Sequence, residues 1–152
     1  MYRLIVHAIL LALSYCTIII TSDGHDHDLL QCNRQWNQWR ALQIHSYVFE
    51  YNRTCFCSTD VTRLVRIEVR GDAVFRVTDV QTGADVTRAP FARWPTVDSL
   101  FIWTRRTIND GDWRYQIDYH PAFHYVRRLS GDIPNAIDGG FVETVHSFLM
   151  SP

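Results

Sequence analysis

From Tyr47 the sequence alternates, with Tyr47, Phe49 and Tyr51 set between Val48, Glu50 and Asn52, and this period of two commits the middle of the chain to β-structure. The rhythm returns in Val65, Ile67 and Val69 against Arg66, Glu68 and Arg70, and again in Phe75 and Val77 beyond a Gly71-Asp72 turn. An apolar residue at every second position turns one sheet face to a core and leaves the other in water, so these runs predict antiparallel strands. Joining the apolar faces pairs Val69 with Phe75 and Ile67 with Val77, which requires a bulge near Gly71. Continued parity carries Arg53, Cys55 and Cys57 to the side of Tyr51.

A half-apolar sheet needs a cover, and two segments have the period of one. Leu29, Cys32, Trp36 and Trp39 recur at steps of three and four, which predicts a helix running to about Leu42. A second helix opens at Pro95-Thr96, with Thr96 as N-cap and Asp98 in the first turn, and Asn109-Asp110-Gly111 stops it. Val97, Leu100, Phe101, Thr104 and Ile108 form its apolar face. Strands are expected from Trp113 to Tyr119 and from Phe123 to Leu129, around His120-Pro121-Ala122, and a last one from Phe141 to Leu149, whose alternation is imperfect. The expected fold is α+β: an antiparallel sheet of five to six strands with two helices on it, in a doubled α-β-β-β order without sequence identity between the halves.

A length of 152 residues, 47% of them hydrophobic, supports one core and hence one domain. A net charge of −1 gives no footprint for nucleic acid. All 15 basic residues are Arg, which excludes Schiff-base lysines and the lysine of a phosphate loop. No Gly-Xaa-Ser-Xaa-Gly elbow and no His-Glu-Xaa-Xaa-His helix is present. The sequence therefore names no catalytic residue, cofactor or metal set, and the reading leans away from an enzyme.

Residues 1–22 read as a signal peptide: Arg3, an apolar run from Leu4 to Ile20 broken by His7, Ser14 and Thr17, then a site near Ser22. The alternative is an uncleaved anchor, the only membrane contact envisaged. Residues 23–30 read as a polar leader. Its Asp23-Gly24-His25-Asp26-His27-Asp28 is solvated, since a metal clamp there lacks a third ordered ligand. Residues 31–150 form the single domain, secreted or otherwise extracytoplasmic.

Removal of the signal leaves Cys32, Cys55 and Cys57, an odd number for an oxidising compartment. The favoured expectation is a staple from Cys32 to Cys55 or Cys57, worth ~2–4 kcal/mol. The alternative is a thiol-redox or metal site on Cys55-Phe56-Cys57, where Arg53 would favour a thiolate. A third outcome is a buried, inert thiol. His120 and His124 read as loop polarity beside Pro121, and Arg70-Gly71-Asp72 as ordinary hairpin-tip residues.

The string from Ser46 to Cys57, with Trp39, Thr96-Val97-Asp98-Ser99-Leu100-Phe101, Ile117-Asp118-Tyr119 and Ile133-Pro134-Asn135-Ala136-Ile137-Asp138, resembles the secreted and lipoprotein family called domain of unknown function 6174. The resemblance spans about Arg34 to Phe148. It implies an extracytoplasmic α+β domain and no particular activity. The resulting expectation is a non-catalytic binding or structural module with an unknown protein or small-molecule partner, the cysteine site being the alternative.

Overall fold

The computed structural model describes residues 24–88, 94–136 and 138–151, so the segment read as a signal peptide lies outside the described residues. Helix α1 spans Gly24–Ala41, and strands β1 (Tyr47–Cys55), β2 (Val65–Arg70) and β3 (Ala73–Asp79) follow. Helix α2 (Val97–Asn109) leads to β4 (Arg114–Tyr119), β5 (Val126–Asp132) and β6 (Phe141–Met150). A one-turn helix at Thr59–Thr62 follows β1. The six strands form one sheet in the order β3-β2-β1-β6-β5-β4, with every neighbouring pair antiparallel. The fold is the expected α+β architecture, two meanders joined through β1 and β6.

The alternation of β1 and β2 works as their sequences require: Tyr47, Phe49, Tyr51, Val65, Ile67 and Val69 are all buried. Thr96 caps α2, its hydroxyl accepting from Ser99 N at 3.2 Å, and the Tyr47 hydroxyl accepts from Val97 N at 3.0 Å. Two amides that a helix start leaves unpaired are thereby satisfied, one of them from the sheet. The helices are clasped together by Asp98, whose carboxylate accepts from Trp36 Nε1 at 2.6 Å and Trp39 Nε1 at 3.4 Å. Trp36 stacks on Phe101 at 5.7 Å, and Trp39 meets Tyr47 edge-on at 5.5 Å. No described helix is long and apolar enough to cross a membrane.

Several expectations need correction. Helix α1 starts at Gly24, so the polar leader supplies its first turns; His25 Nδ1 bonds Ile108 O at 2.9 Å, and Asp28 accepts from the Tyr115 hydroxyl at 2.9 Å. Val69 pairs with Val74, not Phe75, because the bulge lies at Phe75 and not at Gly71. Phe75 is extruded and 53% exposed, with the Arg70 guanidinium 3.7 Å from its ring centre. A second bulge sits on β6, where Glu50 pairs with Ser147 and Tyr51 with Val145. His146 is the extra residue, and it shifts the parity that made Phe141 to Leu149 look irregular. The start of β5 is Val126, since His120 to His124 form a turn closed by His120 N to Tyr125 O at 2.8 Å.

Candidate functional site

Strand β1 ends at Cys55, and the chain turns at once: Cys57 N donates to Cys55 O at 2.8 Å. The turn brings the two Cα atoms to 5.2 Å, and the sulfurs are joined in a disulfide. The expected staple is thus absent. Cys32 is a free thiol fully buried in α1, where burial pushes its pKa up, with the Tyr119 hydroxyl beside it. Cys32 faces β4, whereas Cys55 sits opposite Phe141 on β6, so the two never meet. Parity had assumed that the strand continues through Cys57; the turn after Cys55 overrides it. Cys57 is exposed and Cys55 half-buried.

One rung back, Arg53 lies directly across from Glu143. Its Nε donates to Glu143 Oε1 at 2.9 Å, and Nη2 donates to the same oxygen. Glu143 is 3% exposed, and the Tyr51 hydroxyl lies against the same carboxylate. Burial pushes the Glu143 carboxyl up, against the pull of Arg53. Burial, reinforced by the Glu143 charge, raises the Tyr51 phenol on the same face, which stays protonated. The Arg53 guanidinium also approaches the Trp103 ring of α2 at 5.8 Å. The rung that joins Arg53 to this buried carboxylate is thus two residues, about 6.6 Å of strand, before the rung of Cys55 and Phe141. Arg53 was legible as a neighbour of the cysteines; Glu143 was not, because the β6 bulge hid which face it takes.

Among the described residues, the other face of the sheet is covered by neither α1 nor α2, and Thr54 and Gln116 stand exposed on it. Thr54, Val142, Ser130 and Gln116 are successive cross-strand partners, and they floor a cleft of about 690 Å³ that reaches Cys55 and Phe56. Arg114 opposite Asp132 lines it further. Phe56, held between the bonded cysteines, is 83% exposed. Gly131 makes the far side close-packed: a Cβ there would come 2.8 Å from the Phe141 ring, so only glycine lets the Phe141 and Trp113 rings lie against the strand.

The remaining sequence candidates are internally bonded. His120 Nδ1 accepts from Ala122 N and Phe123 N at 3.3 and 3.1 Å, and His124 Nδ1 lies 3.0 Å from Gln35 Oε1. Asp72 pairs with His45 at 2.9 Å. Among the described residues no three His, Cys, Asp or Glu side chains form a metal set.

A protein-family model described as a family of unknown function (DUF6174) matches residues 31–149. No curated protein and no solved structure matches the chain.

Proposed function

The chain belongs to this family of unknown function, so its chemistry has to be read from its own residues, and we propose that it is an exported domain whose Cys55–Cys57 pair exchanges with thiols of an extracytoplasmic partner. The observation that carries this reading is the division of the cysteines: one pair bonded at the surface beside a cleft and an arginine, and one thiol sequestered. A purely structural bridge would tie distant segments together; this one closes only three residues and leaves Cys57 in solvent.

In the exchange, a partner thiolate attacks one sulfur and the other leaves as a thiolate, giving a mixed disulfide. A second partner thiolate then attacks the partner's own sulfur in that bond and releases the remaining cysteine. Two electrons pass to the Cys55–Cys57 pair, and the partner leaves as a disulfide. Residues flooring the cleft would hold the partner chain beside the reacting sulfurs. The cleft also favours a second reading, in which the domain binds a protein or small molecule without reacting.

Equilibration of the folded protein with glutathione redox buffers, quenched by alkylation and weighed, separates the readings. The expected result is a two-electron transition above about −300 mV, with Cys32 unmodified throughout. A pair that stays oxidised below that potential is an inert bridge, and the binding reading then stands alone.

A further inference from the structure

Resting on the exchange reading, we infer that the exchange has a fixed direction: the incoming thiolate attacks Cys57, and Cys55 leaves, with Arg53 as the positioning residue that receives the departing charge. Access supports the first half. Cys57 is exposed beyond the end of β1, whereas Cys55 is half-buried and packed against the core. Cys57 is therefore the more accessible end of the bond for an incoming thiolate, and Cys55 is left as the departing sulfur.

Charge supports the second half. Arg53 shares a strand face with Cys55 at the neighbouring position, and its side chain is 36% exposed, so its field is only partly screened by water. Two of its N–H groups are committed to Glu143 Oε1, and a guanidinium has five. The Tyr51 hydroxyl takes up a further contact with the guanidinium, which still leaves N–H groups for a thiolate that forms when the bond breaks. A leaving thiol with lowered pKa departs faster, so Arg53 speeds the first step and Glu143 tempers it by holding part of the same charge. Of the charged groups at this end of the sheet, Arg114, Asp132 and Asp138 line the cleft, and Arg63, beyond the one-turn helix after β1, is paired with Asp79. Tyr51 stays neutral on the Arg53 side.

The balanced step is partner thiolate plus the Cys55–Cys57 disulfide giving a partner–Cys57 disulfide plus Cys55 thiolate, which later takes a proton from water. Reaction of the folded protein with reduced glutathione, acid-quenched and mapped by mass spectrometry, should place glutathione on Cys57. Reduction by dithiothreitol should slow roughly three- to tenfold in Arg53→Gln, recover in Arg53→Lys, and accelerate in Glu143→Gln. In a Cys32→Ala/Cys57→Ser background, the pH profile of alkylation should move up for Arg53→Gln and down for Glu143→Gln. A merely structural ion pair would not shift the two variants in opposite senses. Glu143→Gln keeps the shape of the pair, so it tests the idea even where Arg53→Gln fails to fold. Glutathione on Cys55, or equal rates in wild type and Glu143→Gln, overturns the direction while leaving exchange intact. A wild-type pair that dithiothreitol does not reduce in the folded protein overturns both.

Discussion

Arg53→Ala is expected to lower stability by about 3–5 kcal/mol at pH 7, because it strips the hydrogen-bonded cation from a carboxylate that is almost wholly buried. The double variant Arg53→Met/Glu143→Leu removes both charges and should regain most of that loss, or exceed wild type, since well-packed apolar residues often replace a buried pair without cost. The pH dependence carries a definite sign. Burial raises the Glu143 pKa in the folded state, so the folded protein binds the proton more readily than the unfolded chain, and without Arg53 that difference grows. Stability of Arg53→Ala should therefore fall as pH rises from about 4 to 7 more steeply than that of wild type. Urea denaturation at the two pH values reads both effects. A single variant losing under about 1 kcal/mol, or a double variant no better than the single, would mean that the pair is solvated.

Phe49→Ala should cost about 3–5 kcal/mol. Phe49 is fully buried at the middle of β1, paired with Ile67 on one side and Phe148 on the other, with the rings of Tyr47 and Tyr51 at 5.8 and 6.4 Å. Phe75→Ala is the informative control. Alternation alone puts Phe75 opposite Val69 in the core, whereas the bulge places it at the surface under Arg70, so its loss should stay near 0.5 kcal/mol. Denaturant midpoints for the two variants decide the register of the β2–β3 hairpin. Comparable losses would put Phe75 back in the core.

The contrast between these phenylalanines shows what sequence pattern can carry here. The element order, both helix faces and the Thr96 cap were legible because each rests on short-range periodicity or on a side chain bonding its own backbone. Family resemblance, read over about Arg34 to Phe148, agrees with the matched residues 31–149. Bulges were not legible, since a single extra residue at Phe75 or His146 flips parity without leaving a compositional mark. Glu143 was missed for that reason: an acid on a strand of uncertain parity reads as a solvated residue. The leader looked solvated because its histidines and aspartates are polar, yet His25 and Asp28 find partners on α2 and β4. Cysteine pairing was misread for a different cause. Spacing cannot reveal that the chain turns immediately after Cys55, and that turn decides which sulfurs meet.

Exchange at Cys55–Cys57 depends first on that pairing, and one measurement reaches it. The purified folded protein would be alkylated, digested without reduction and mapped, then the same done after mild reduction of the folded chain. The expected map has Cys55 and Cys57 linked within one peptide that takes up two alkyl groups after mild reduction, while Cys32 reacts only on denaturation. A peptide joining Cys32 to Cys55 or Cys57 would contradict it and return the molecule to a stapled module with no exchanging pair.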